Sequence, residues 1–304
     1  MKPETVFIDT GEMRFEVDVA GDPDSDRLAL LLHGFPEHAY SWREQIPVFA
    51  RLGYQVWAPN QRGYGRTTRP EGIRNYTMDH LVEDACRLID ASGKKSVTLV
   101  GHDWGGAVAW SFALAAARPL DRLIVMNLPH PALFRQRLRT WSQLKKSWYA
   151  FFFQIPRLPE MLFRADGARA IERAFTQMAI DKSRFPPEVT DVFRQNALQE
   201  GALTAMINWY RAGRFTPPKW RELMANPPIL QTPTLMLWGE EDRALGKELT
   251  YGTDELVADF TLRYLPNVSH WVQQEAPETV NAMLEAWLRG APVPFAPGTP
   301  ENPR

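Results

Sequence analysis

Cysteine is almost missing. Cys86 is the single one in 304 residues, so no intrachain disulfide can form, which suits a reducing compartment and sets the expectation of a cytoplasmic protein. Long apolar runs are missing too. No uncharged stretch approaches the roughly 18 residues of a membrane-span candidate, and residues 1–10 lack the basic stretch and apolar stretch of a secretory signal. Net charge is nearly absent at −1, which removes any global attraction to nucleic acid or anionic membrane and leaves only local patches open. The six histidines show no HExxH or other helical ligand spacing, and there is no CxxC. No metal site is therefore expected.

What is present is an ordinary soluble globular mixture, 44% hydrophobic and 23% charged. The length suits one large domain or a domain with a sizeable insertion. Residues 5–9 and 14–19 alternate apolar and polar around Thr10-Gly11, the pattern of an antiparallel hairpin. Short continuous apolar runs follow at 28–32, 55–58, 97–100, 123–126 and 235–238, with a last strand at 261–264. Unbroken hydrophobicity marks strands buried on both faces, as in a parallel sheet. Helical patterns lie between them at 41–51, 78–91 and 104–117, and one at 279–288 closes the chain.

The strand–helix alternation stops between about 129 and 228, where only helical periodicity continues. Trp141, Leu144, Trp148, Phe152 and Ile155 read as one stripe; Leu198, Leu203, Met206 and Trp209 suggest another. The expected architecture is α/β: a mostly parallel eight-stranded sheet (1–128 and 229–290) with a helical cap (129–228) inserted between the sixth and seventh strands. Residues 291–304, with Pro at 292, 294, 297, 300 and 303, read as an extended, flexible tail.

Chemistry gathers at strand ends. After the fifth strand comes Gly101-His102-Asp103-Trp104-Gly105-Gly106, leading into an Ala-rich helix. This has the form of a nucleophile elbow, Gly-x-nucleophile-x-Gly, with Asp where Ser usually sits. A helix N-terminus favours an ionised carboxylate, and Asp needs no base to attack. After the third strand comes His33-Gly34-Phe35-Pro36-Glu37. In an α/β-hydrolase such a loop gives one oxyanion-hole N–H and the residue after the nucleophile gives the other, here Phe35 and Trp104. Asp242 follows the seventh strand and His270 the eighth, giving the chain order nucleophile, acid, base. Glu240 and Glu241 neighbour Asp242; loop position favours Asp242. Position 127, after the sixth strand, is Asn and cannot be the acid.

These segments, with Arg62-Gly63-Tyr64-Gly65 and Ser269-His270-Trp271, resemble the soluble epoxide hydrolases and their kin, the haloalkane and haloacetate dehalogenases. The resemblance spans about residues 5–290. It implies that Asp242 is the acid and that two cap tyrosines hydrogen-bond the epoxide oxygen. Tyr210, in Asn208-Trp209-Tyr210-Arg211-Ala212, and Tyr149, three residues before an aromatic pair, stand where the family places them. It implies a covalent alkyl ester on Asp103, hydrolysed by water that His270 activates, with no metal or organic cofactor. Phe35, Trp104, Trp148, Phe152 and Trp271 are the expected substrate-binding side chains, and their aromatic character points to a lipophilic epoxide.

A dehalogenase using the same nucleophile is the alternative. Against it, Phe35 stands where haloalkane dehalogenases often have Asn, and Tyr149-Ala150 where fluoroacetate dehalogenases usually have His-Trp. A non-catalytic binding module would need none of the elbow, acid and base. No nucleic-acid partner is expected, and a homodimer stays open.

Overall fold

The alternating hairpin, the five continuous apolar runs and the last strand form one sheet of eight strands: β1 (Glu4–Asp9), β2 (Arg14–Gly21), β3 (Arg27–Leu32), β4 (Gln55–Pro59), β5 (Ser96–His102), β6 (Arg122–Met126), β7 (Thr234–Gly239) and β8 (Phe260–Leu265). The structure, a computed structural model, describes residues 2–137 and 148–299. The order is β1-β2-β4-β3-β5-β6-β7-β8. β2 is antiparallel to both its neighbours, and the remaining pairings from β4 to β8 are parallel.

Successive residues of the central strands are buried on opposite faces, which is why their hydrophobicity does not alternate. Leu28, Leu30, Leu99 and Val125 belong to a core shared with helices α2 (Met78–Ser92) and α3 (Trp104–Leu114). Leu31, Val100, Ile124 and Leu237 face the other way, toward Trp42, Phe49, Val280 and Leu284. The last two lie on the closing helix, Pro277–Leu288. Residues 41–51 are not one helix. A 3₁₀ turn (Ala39–Trp42) precedes α1 (Ile46–Arg51), with Pro47 in its first turn, where the missing N–H costs nothing.

Between β6 and β7 the described residues are helical: α4 (Pro131–Arg137), α5 (Trp148–Phe152), α6 (Leu158–Met178), α7 (Pro187–Leu198), α8 (Ala202–Ala212) and α9 (Pro218–Ala225). Of the second stripe, Leu203, Met206 and Trp209 are buried on α8, but Leu198 is half-buried at the end of α7 and does not belong to that helix. The stripe before it is not as expected. Trp141 and Leu144 lie outside the described residues, while Trp148 and Ile155 face outward. The helix that was to carry them continuously ends at Phe152, and the chain turns at Pro156. One buried carboxylate ties cap to core. Glu275 accepts the N–H groups of Ile180 (2.8 Å) and Asp181 (2.9 Å) in the cap and the N–H and hydroxyl of Ser269, the residue before His270. Among the described residues, no helix is long and apolar enough to cross a membrane.

The start of the tail departs from expectation. Residues 291–299 have no helix or strand, but Val293 and Ala296 are buried against the core face built on the closing helix. The Arg263 guanidinium donates to the Val293 carbonyl at 2.8 and 3.1 Å. Proline content suggested a free segment; two small apolar side chains and one arginine suffice to dock it. Deleting residues 292–304 should therefore lower stability by about 2 kcal/mol, the worth of one buried Val-sized side chain. Denaturant titration would read this as an earlier midpoint, and an unchanged midpoint would mean that the docked segment contributes nothing.

Candidate active site

Parallel strands in register end together, so the loops after β3, β5, β6, β7 and β8 meet at one edge of the sheet, where α/β folds bind ligands. Asp103 forms the turn between β5 and α3 with φ 48° and ψ −121°. A non-glycine residue held at positive φ is strained, and such strain gathers at functional sites. The packing that enforces it leaves no room for a side chain at Gly105, where a Cβ would lie 2.0 Å from the Leu32 carbonyl oxygen. A Cβ at Gly34 would lie 2.5 Å from that of Asp103. The Phe35–Pro36 bond is cis. In this geometry the Phe35 N–H donates to Asp103 Oδ1 at 2.8 Å. Trp104 is the first residue of α3, so its N–H is among the first-turn donors that have no partner within the helix.

A line of charge runs behind Asp103. His270 Nε2 lies 3.5 Å from Asp103 Oδ2, and its Nδ1 lies 2.6 Å from Asp242 Oδ2. Asp242 is further held by the N–H groups of Ala244 (2.7 Å) and Leu245 (2.9 Å) and by the Asn127 side-chain amide (2.8 Å). Glu240 instead pairs with Lys247 at the surface. Burial would push His270 down, but the carboxylates of Asp242 and Asp103 outweigh it and raise it to about 10. Burial likewise works against both aspartates, yet His270 leaves each lowered and ionised.

Asn127, noted in the sequence only as a non-acid, is part of this arrangement. It sits at φ 40°, accepts the Gly239 N–H at 2.9 Å and donates to Asp242, fastening the end of β6 to the acid loop. Sequence reasoning also gave no role to Glu37 and His102, which are fully buried. The Glu37 carboxylate receives the Gly34 N–H (2.6 Å) and the side-chain amides of Gln273 and Gln274 (2.8 Å each). His102 has one ring nitrogen 2.6 Å from Glu37 and the other 2.8 Å from the His270 carbonyl oxygen. Three loops are thus joined by one buried polar network. Its members lie far apart in the chain, so no local spacing signals it.

The cap lies over Asp103 and encloses a cavity of about 600 Å³. Asp103 and Trp104 line it from the core, Tyr149 and Tyr210 from the cap. Tyr210 packs edge-on against Trp104, Phe35 and Tyr149 at centroid distances of 5.1, 5.2 and 5.9 Å. Burial, reinforced by the nearby Asp103 carboxylate, raises both phenols, so both keep their protons at neutral pH. The distance between the two tyrosine segments is held by Arg211. Its guanidinium donates to the carbonyls of Phe153 and Ile155 (2.8 Å each) and pairs with Glu160 at 2.5 Å.

The substrate-binding expectations need correction. Of the five aromatic side chains named, only Trp104 lines the cavity. Trp148 is 63% exposed because it occupies the outer face of a five-residue helix. Phe152 packs beside Phe153. Phe35 contributes its backbone and an edge to Phe153. Trp271 is buried against Phe175 and His270. The missed wall residues include Leu128, Phe134, Trp220, Met224 and Leu245, together with Tyr76 and Leu81 from the core. They come from six segments, which no single periodicity unites.

Comparison with known proteins agrees with this geometry. A family model described as alpha/beta hydrolase fold matches residues 30–277. The chain is 37% identical over 290 residues to Epoxide hydrolase 4 of Mus musculus, covering 93% of this chain and 79% of that protein. It is 36% identical over 285 residues to the AB hydrolase superfamily protein YfhM of Bacillus subtilis (strain 168), covering 93% and 97%. Among solved structures, the Bacillus megaterium epoxide hydrolase in complex with an inhibitor superposes with a TM-score of 0.84 at 29% identity, covering 93% of this chain and 100% of that one.

The raised His270 has a signed consequence. A group held above its ordinary value of 6.5 adds stability in full below that pH, and the contribution is lost as pH rises through about 10. Asp242→Asn removes the largest upward influence, so the His270 ring should titrate at lower pH in ¹⁵N NMR. The loss of stability between pH 6.5 and 10 should shrink with it. An unaltered ring titration would refute the assignment of Asp242 as the cause.

Proposed function

The chain belongs to the alpha/beta hydrolase fold family, as a hydrolase of its epoxide hydrolase branch, and from that we propose that it converts a lipophilic epoxide and water to a vicinal diol through a covalent ester on Asp103. The observation that carries this reading is the shared cavity. A carboxylate on a strained turn and two protonated phenols face one mostly apolar space of about 600 Å³.

An epoxide carbon is sp³ and opens by in-line displacement. Asp103 Oδ1 accepts the Phe35 N–H, which leaves Oδ2 as the attacking oxygen. As Oδ2 bonds to one ring carbon, that carbon's bond to the ring oxygen breaks and the oxygen takes the electron pair. Tyr149 and Tyr210 hydrogen-bond the oxygen as its charge grows, and one of the two gives it a proton and becomes a phenolate. Donors placed where charge develops favour the transition state over the substrate. Oδ1 becomes the ester carbonyl, already against the Phe35 N–H.

The second step needs a base, and the first step makes it. Between two carboxylates His270 is raised to about 10 and carries a proton at neutral pH. Esterification abolishes the Asp103 charge, one of the two that hold it up, so His270 becomes easier to deprotonate, and its proton passes by way of solvent to the phenolate left by the first step, restoring the phenol. Neutral His270 takes a proton from water, and the hydroxide oxygen attacks the ester carbonyl carbon. The N–H groups of Phe35 and Trp104 hold the oxyanion. Its collapse breaks the bond from the acyl carbon to Oδ2. The departing alkoxide takes the proton of the hydroxyl added from water and leaves as the diol, and Asp103 returns as a carboxylate with one oxygen from water beside a protonated His270.

Support for epoxide over halide as the leaving group comes from the cap. Two phenols suit an oxygen that must be protonated, whereas a halide leaves without a proton. Diol should form from a panel of aryl and alkyl epoxides, and Asp103→Ala should abolish it. Tyr210→Phe should lower kcat by about 10²–10³-fold, the usual worth of one such donor. His270→Ala should let the ester accumulate, seen as substrate mass added to the intact protein. Absence of diol from every epoxide, with halide released from haloalkanes instead, would favour the dehalogenase reading.

A further inference from the structure

Six of the eleven exposed large hydrophobic residues among the described residues fall between positions 148 and 162: Trp148, Phe151, Ile155, Leu158, Met161 and Leu162. Their exposures run from 40% to 67%. The helix periodicity accounts for the grouping. Trp148 and Phe151 are three apart on α5, while Tyr149 and Phe153 of the same segment point inward. Leu158, Met161 and Leu162 are at i, i+3 and i+4 of α6, while Pro159 is buried and Phe163 packs inward against Phe153 and Phe35. The segment is therefore apolar on both faces. Only the inner one is needed for the cap, since a surface helix normally turns polar residues outward.

Charge on this outer face has one sign. Arg157 and Arg164 are exposed, and neither has an ion-pair partner among the described residues. The single acid of residues 148–164 is Glu160, which is committed to Arg211. Aromatic and aliphatic knuckles flanked by arginine are the composition of a surface that lies in a bilayer interface. There the apolar side chains enter the acyl boundary while the guanidinium groups stay among anionic headgroups. A second copy fits less well. A two-fold contact through this patch would bring Arg157 and Arg164 against their own counterparts with no acid to meet them.

We propose that the outer face of residues 148–164 docks the protein peripherally on an anionic lipid bilayer. The inference does not depend on the reaction proposed above. The test is co-sedimentation of the full chain with vesicles of phosphatidylcholine alone or with about one-third phosphatidylserine. Wild type should bind the anionic vesicles, more weakly as salt is raised, with affinity higher by on the order of tenfold than for the neutral ones. Phe151→Gln, Met161→Gln and Leu162→Gln together should abolish binding while thermal unfolding and turnover of a water-soluble substrate stay as in wild type. If that variant unfolds, Arg157→Gln with Arg164→Gln carries the test, and it should lose the preference for anionic vesicles. No binding to either vesicle by wild type would overturn the proposal. So would a wild-type dimer in light scattering that the triple variant dissociates, because the patch would then be covered by a second copy.

Discussion

Three ionisable groups, Asp103, His270 and Asp242, are stacked in a line, the last two buried and the first at the cavity wall, and the rest of the site is arranged to make that tolerable. Two buried carboxylates cannot remain ionised side by side without a cation between them. His270 is that cation, and its raised affinity for a proton is the electrostatic counterpart of their lowered ones. Each end of the line is held by rigid donors: backbone N–H groups at Phe35, Ala244 and Leu245, and the Asn127 amide. None of these can be supplied by a mobile loop, so the donors lie at the ends of parallel strands.

The same electrostatics links the two halves of the proposed reaction. A histidine strong enough to neutralise two carboxylates is a poor base. It becomes a good one only when one carboxylate is esterified. Timing is thus encoded in a charge balance, and the Glu37–His102 pair, which meets the His270 backbone but not its ring, adds position without joining that balance directly.

Much of this was legible in the sequence because it is local. Buried parallel strands write themselves as short unbroken apolar runs, and β3 to β7 lie where those runs predict, while the alternating pattern placed the hairpin of β1 and β2. The elbow was readable because glycine is required where a Cβ would strike the Leu32 carbonyl. The chain order of Asp103, Asp242 and His270 singled out three residues that the fold brings into one line. What escaped was non-local or fell on ambiguous composition. The cavity wall draws on six segments. Asn127 and Glu37 act on partners more than 100 and 60 positions away, respectively. Trp148 was misplaced because a stripe assumes a long helix, and α5 has five residues. The burial of Val293 and Ala296 at the start of the proline-rich tail escaped because composition reports on helix and strand, not on whether two small side chains find a groove.

Arg211 sets a limit on how this enzyme can be altered. One guanidinium grips the end of the segment carrying Tyr149 from the residue next to Tyr210, so the gap between the two phenols depends strongly on one side chain. Positions along the cavity wall, such as Phe134 and Met224, carry no such duty. A library built to reshape substrate scope therefore has separable halves. Wall positions can be randomised freely, whereas Arg211 and Glu160 behave as a ruler whose graduations must stay untouched for any new pocket to keep its pair of donors in register.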